Sequence, residues 1–554
     1  MSQTPAAPGI GAVIRVEPRP FDAPLATTAP TPPAPPKYLV GPADGVFALL
    51  ALLLGYLWWD WLLPRDGATV VHNQQTAGGG TGVASATTYL PNVAVTAFFL
   101  LAFAVSVAYY RVQRVRLDAR AWVWAGAVLV ASLPFVLYQA TPVHVFLGMG
   151  LLVGFVLWHA YVSGSAQTRR LDDGLVVDAL NQGFCTPWHS VGAWWAGLGR
   201  LRRGGRGGVA AGVLGVLVAL PLIVVVVSLL ISADQTFATA ANHVITVLTR
   251  LNLFSIVGKL IVAIPVAVGI FAQWYAHSRR HETVTLTRDS MSRGAAALRR
   301  IQPLALAAPT AVLCLIYLGF FAAMSTYLFS GFAGVLPSGY TYADYARQGF
   351  FQLAVVSIIN AIVLGFTAAT ARRSTSGYPK ALRVLGAVLA VETLALIAVS
   401  ASKMLLYVRA YGLTELRLYT LWYLAVAFVV VGFVGARHLR RFAVDRAVII
   451  TVLAGFLVLA FGNADGVIAR YNVDGYLAGT QQADVDYLST GLSDAALPQL
   501  ARLADQAPDA DVSAQAAAAV QDYRAGCFAV DGASALPWTA WNWQTQTARQ
   551  AAGC

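Results

Sequence analysis

The chain has 554 residues, 57% hydrophobic and only 12% charged, with a mean hydropathy of +0.62 and a formal net charge of +12. Soluble domains carry roughly 25% charged residues, so an ordinary soluble protein is excluded. The positive balance consists of arginines beside apolar runs, with no groove-reading motif, which argues against nucleic acid as a partner.

The apolar runs lack the period-2 alternation of membrane barrel strands. The expected fold class is therefore all-α: a polytopic transmembrane helical bundle whose main partner is the lipid bilayer. Residues 1–40 form a Pro-rich head, with Pro30, Pro32, Pro33, Pro35 and Pro36 close together, too poor in apolar content to fold alone. No cleaved signal peptide is expected, because the first apolar run begins near Val46. The transmembrane region, 41–462, reads as about eleven spans at 45–63, 92–110, 121–138, 142–163, 209–231, 252–275, 304–330, 350–371, 382–402, 417–435 and 447–462. The short link from Gln139 to Pro142 admits either a hairpin or a kink.

Arginine placement sets the orientation. Arg111 to Arg120, Arg169 to Arg206, Arg279 to Arg300, Arg372 to Arg383 and Arg437 to Arg446 follow alternate spans. By the positive-inside rule these loops are cytoplasmic. That alternation favours the hairpin, and places the N-terminus in the cytoplasm of a plasma-membrane protein and residues 463–554 outside. Trp188, Val191, Trp194, Trp195 and Leu198 recur at helical spacing before Arg200, Arg202 and Arg203. An interfacial helix on the inner leaflet fits this pattern, as does a loop with anchoring tryptophans. Of four cysteines, Cys185 falls in a cytoplasmic loop and Cys314 inside a span. Cys527 and Cys554 share the external tail, where a disulfide is expected.

No phosphate loop, Rossmann glycine fingerprint, metalloprotease helix or nucleophile elbow is present, and neither a cofactor nor a metal site is expected. His144 and His159 lie in one span but about 20 Å apart, too far for a metal pair. Charges within spans are costly and therefore informative. Glu392 near the middle of its span and Lys259 nearer the outer end form a candidate intramembrane polar site, in which the two would pair or share a cavity if their helices are neighbours. A buried structural role is the alternative. Asp344, Tyr345 and Arg347 before one span, and Lys403, Arg409, Tyr411, Glu415 and Arg417 around another turn, form a candidate external vestibule. An ordinary interfacial aromatic belt would have the same composition.

The stretch Leu336 to Phe351, containing Gly339-Tyr340-Thr341-Tyr342-Ala343-Asp344-Tyr345-Ala346-Arg347, resembles a signature of an uncharacterised bacterial membrane family, domain of unknown function 4173, related to 4153. Tyr411 to Trp422, Asn463 to Asn472 and Asp484 to Leu488 are similar to further signatures in the same order; Ile231 to Asp234 and Trp541-Asn542 are weaker matches. The family's usual Glu is Asp344 here. The resemblance implies a polytopic core with an external helical tail, and no reaction. In that tail, Leu492, Ala496, Leu497, Leu500 and Leu503 have helical spacing, and a second helix is expected from Val512 to Arg524.

Three functions compete on this evidence. The first is a transporter-like or envelope-maintenance protein without classical catalysis, acting on a small molecule the residues do not name. Pro134, Pro221, Pro265 and Pro309 would permit broken helices in it. The second is a transferase acting on lipid-linked substrates, and the third a sensor or scaffold whose residues 463–554 bind an envelope partner.

Overall fold

The computed structural model describes residues 38–62, 65–71, 84–89, 91–139, 142–168, 171–201, 226, 229, 253–280, 283–294, 302–325, 327, 330, 332–334, 339, 341–347, 350–373, 380–528 and 538–554. Residues Val40–Cys554 form one compact unit. The expected disordered head, 1–40, lies almost wholly outside the described residues, as does the span expected at 209–231. Among the described residues, ten helices are long and apolar enough to cross a membrane. The fold is the expected helical bundle.

The spans are α1 (Pro42–Leu62), α2 (Val93–Val112), α3 (Ala119–Ala131) continued by the short α4 (Pro134–Leu137), and α5 (Pro142–Ser163). Between α1 and α2 the chain forms an antiparallel strand pair, Arg65–Val71 with Ala84–Tyr89, which composition did not foreshadow. After α5 come α6 (Gly174–Leu180), a π-helical turn at Asn181–Cys185, α7 (Thr186–Leu201) and the span α8 (Leu253–Arg279), then the short α9 (Arg288–Gly294). The second set of spans is α10 (Pro303–Ala323), α12 (Phe350–Arg373), α13 (Lys380–Tyr411), α14 (Glu415–Leu439) and α15 (Val444–Phe461), with the short α11 (Tyr342–Arg347) before α12. The tail holds α16 (Ala464–Leu477), α17 (Val485–Thr490), α18 (Leu497–Gln506), α19 (Ala510–Phe528) and α20 (Trp543–Ala552).

The helices on either side of 140–141 run antiparallel, as a hairpin. The Trp158 indole donates to the Ala121 carbonyl at 3.0 Å and the Trp124 indole to the Gly154 carbonyl at 2.8 Å, the register of antiparallel neighbours. Helices in lipid gain little from hydrophobic transfer and associate through close packing of small residues. Gly55 shows this: it leaves no room for a Cβ against the Ala263 backbone, and α1 and α8 form the most extensive helix contact. Helices α1, α2, α3, α5, α7 and α8 pack into one group and α10 to α15 into another. The groups meet where α15 touches α5, and Tyr138 donates to the Phe461 carbonyl at 3.0 Å.

Helix α7 forms where the tryptophan spacing indicates, but one of its faces is built into the bundle. Trp194 is fully buried and donates to the Ala48 carbonyl at 3.0 Å, whereas Trp188 is 80% exposed. The reason is steric: Gly197 brings α7 down onto Asp44, Ala48 and Phe271, too close for a lone surface helix.

The tail docks on both groups at one face. On the first, Asn92 and Val93 donate backbone N–H groups to the Thr539 and Trp541 carbonyls at 2.8 and 3.1 Å. On the second, Asn472 both accepts from the Leu413 N–H and donates to its carbonyl, at 2.7 and 2.8 Å. Gly412 has φ +78°, and a Cβ there would meet Asn472 Oδ1 at 2.7 Å, so the turn after Tyr411 requires glycine. The tail core is Ala469, Val473, Val485, Leu488, Leu500 and Leu503.

Candidate functional site

Among the described residues, a dense buried polar cluster lies at the face opposite the tail, where the ends of α1, α2, α5 and α8 meet the π turn. It starts with Asp44, fully buried in the first turn of α1. Its Oδ1 accepts from the Tyr109 hydroxyl at 2.9 Å and Gln113 Nε2 at 2.8 Å; its Oδ2 accepts from the Gly41 N–H at 2.6 Å and pairs with Arg279 Nη2 at 3.0 Å. A carboxylate out of water needs such saturation, since burying it unpaired costs several kcal/mol.

Beside this ion pair lie two histidines. His159 and His277 stack with ring centroids 5.8 Å apart and an interplanar angle of 18°, both buried. The Tyr110 hydroxyl bonds His159 Nδ1 at 2.7 Å. His277 Nδ1 meets Ser163 Oγ at 2.8 Å, and its Nε2 meets the carbonyl oxygens of Gln182 and Gln273 at 2.8 and 3.1 Å. With acceptors on Nε2, His277 carries its proton there. His159 Nε2 has no hydrogen-bond partner among the described residues. Tyr109 and Ser278 join the two halves of the cluster, with their oxygens 3.4 Å apart. Gln182 is presented by the π turn, a local widening of the helix found frequently at functional sites. Asn181 in the same turn ties down the 283–288 segment through the Leu286 N–H and carbonyl, each at 2.8 Å.

The residues singled out by sequence are distributed differently. Lys259 and Glu392 do not pair. Lys259 Nζ binds Asp60 Oδ1 at 2.9 Å and lies 3.4 Å from the Tyr56 hydroxyl, because α8 packs on α1, while Glu392 sits on α13 in the other group. Glu392 faces Cys314 of α10, and its Oε2 has no hydrogen-bond partner among the described residues. Next to it Tyr317, Asn360 and Thr393 form a chain at 2.8 and 3.1 Å.

The vestibule residues separate into small groups. Asp344 accepts from Thr341 Oγ1 at 2.7 Å and serves its own helix start. Tyr345 is buried and donates to the Tyr327 carbonyl at 2.8 Å. Lys403, 1% exposed, has its Nζ 4.2 and 4.6 Å from the Tyr327 and Tyr345 ring centres, a cation–π seat in place of an ion pair. Arg417 lies over the Tyr407 ring at 4.1 Å and donates to the Tyr411 and Gly412 carbonyls, which closes the α13–α14 turn. The Glu415 backbone N–H donates to the Tyr487 hydroxyl at 3.0 Å, and the Glu415 side chain lies close to the buried Asp465. Arg409 is exposed, and the Arg347 side chain lies outside the described residues. Cys185 and Cys314 are free thiols and Cys554 is disulfide-bonded; the Cys527 side chain, its expected partner, lies outside the described residues.

In the tail, burial holds the Asp494 carboxyl above the usual carboxylate range, against the lowering effect of hydrogen bonds from Thr545 and Tyr523. Asp474 is held below it by the Arg502 guanidinium at 2.5 Å. Among the described residues no group of three or more His, Cys, Asp or Glu could hold a metal ion.

No curated protein matches the chain, and no solved structure does. A family model matches residues 125–503, a range that contains the signatures at 336–351, 411–422, 463–472 and 484–488 but not Trp541-Asn542. Since this match spans more than two thirds of an integral, multi-pass helical bundle, the chain belongs to the family described as Domain of unknown function (DUF4153).

Proposed function

We propose that the protein is a transporter-type plasma-membrane protein, N-terminus inside and tail outside, whose Asp44–His159–His277–Arg279 cluster is a proton-sensitive gate at the cytoplasmic face. One observation carries this reading. Four spans are joined at their ends by ionisable and amide side chains, buried where apolar packing would be less costly. Such a junction is held shut by hydrogen bonds whose strength depends on where protons sit. A proton arriving on His159 Nε2, which has no hydrogen-bond partner among the described residues, would place a cation beside His277 and loosen the stack, parting α5 from α8. The division of the described spans into two groups, which meet where α15 touches α5, suits a gate of this kind.

The test needs no substrate. Proteoliposomes adsorbed on a solid-supported membrane are given a pH jump, and the transient charge displacement from proton binding within the membrane field is recorded. The wild type should give a displacement above that of protein-free vesicles. A His159→Asn, His277→Asn double variant that purifies as a folded, monodisperse protein should lose it. A displacement unchanged in that variant, or absent in the wild type, rules out the gate.

A further inference from the structure

Between α13 and α14 lies a groove of about 610 Å³, within the ~300–1,000 Å³ range of small-molecule sites. Its wall is apolar, with Ile397, Leu405, Leu424 and Phe428 among its members, and short Ala401 and Ala425 side chains keep the two helices from filling it. Leu405 and Phe428 are 46% and 44% exposed, so the groove opens on the bundle's lipid-facing surface. From Ile397 to Arg409 it follows α13 for about 18 Å at 1.5 Å per residue, close to the ~15 Å depth of one hydrocarbon leaflet. Arg409 stands at the tail-side end, two residues before α13 ends, and makes no ion pair among the described residues. Neighbouring Arg417 is engaged by two carbonyls and the Tyr407 ring, and Lys403 by its tyrosines. Among the described residues, Arg409 is thus a cation left available at this end.

We propose that the groove holds an acyl chain of an anionic phospholipid from the tail-side leaflet, with the lipid phosphate on Arg409. An apolar slot of leaflet depth ending in an available guanidinium matches both halves of that molecule: dispersion along the chain and a charge-assisted, fork-shaped contact to phosphate. A free phosphate would satisfy Arg409 and leave the apolar slot unused.

Delipidated full-length protein in detergent is titrated with phosphatidylglycerol, phosphatidylcholine or inorganic phosphate, and lipid retention is followed by native mass spectrometry. Phosphatidylglycerol should bind at least about tenfold more tightly than phosphatidylcholine, with inorganic phosphate unable to compete. Arg409→Gln should remove that preference and Arg409→Lys keep most of it. Ala425→Phe, which fills the slot, should lower retention of both lipids in a folded protein. Equal retention of the two lipids by the wild type, effective competition by inorganic phosphate, or unaltered retention in Ala425→Phe each overturns the proposal.

Discussion

Asp44 is the residue on which the inner cluster turns, and its partners are unequal. It receives three uncharged donors besides Arg279, whereas Arg279 is one-third exposed and can return to water. Removing the carboxyl leaves Tyr109, Gln113 and Gly41 without their acceptor; removing the guanidinium leaves a carboxylate still bound by three donors. Asp44→Ala should therefore cost on the order of 3 kcal/mol and Arg279→Ala about half that. Thermal unfolding in detergent checks the order, and equal losses or the reverse would show that the ion pair rather than the hydrogen-bond shell holds Asp44. None of this was legible in sequence. Asp44 looks like an ordinary acidic residue at a helix start, and its side-chain partners lie 65 to 235 positions away. His159 carried a signal, a histidine within a span, but its comparison with His144 tested distance along one helix while its neighbour His277 lies on another. Lys259 and Glu392 were visible as costly charges for the same reason that their partners were not. Burial can be read from composition, but pairing depends on which helices pack together.

At the level of elements, apolar length located spans well because hydropathy averaged over about 20 residues is insensitive to edges. The hairpin at 139–142 followed from arginine alternation alone. The π turn and the strand pair left no trace, since neither depends on hydrophobic period. Helix α7 was half legible: periodicity gave the helix, but an amphipathic pattern cannot say whether its apolar face meets lipid or protein. The two tryptophans separate the cases. Trp194 is fully enclosed and hydrogen-bonded to α1, while Trp188 is 80% exposed on the other face. Trp194→Ala should cost about 3–5 kcal/mol and Trp188→Ala under about 1 kcal/mol of bundle stability. The latter should instead remove the part of the tryptophan emission that brominated lipids quench, as expected if the exposed Trp188 meets lipid or headgroups. Equal destabilisation by the two substitutions would return α7 to the membrane surface.

For the whole molecule, the tail is what spans both helix groups. Its 3-10 turn at Trp538–Ala540 and helix α20 hold α2 and the α4–α5 turn, through Asn92 with Ala540 at 2.9 Å and Gln139 with Gln544 at 3.3 Å. Helix α16 holds the α13–α14 turn through Asn472 and Leu413. A module bound at two places behaves as a bivalent ligand: while one site holds, the other is at high effective concentration and closes again after each opening. Asn472→Ala leaves the Leu413 N–H and carbonyl without their side-chain partner, at about 1–3 kcal/mol for each group left unsatisfied, and Asn92→Ala takes from the Ala540 carbonyl the shorter of its two donors, leaving the Asn542 amide at 3.3 Å. Either substitution alone should leave the tail docked. The two together should release it, because neither site then re-forms fast enough to hold the other. Limited proteolysis reads this out at the α16–α17 connection around Gly479, where φ is +72° and the chain is exposed. Each single variant should be cut at close to the wild-type rate and the double variant at least about tenfold faster. If Asn472→Ala alone opens the connection as far as the double variant does, the tail is anchored on the second group only. A gate in which the first group moves would then work without any tie through the tail, and the tail would be a cap on α13 and α14.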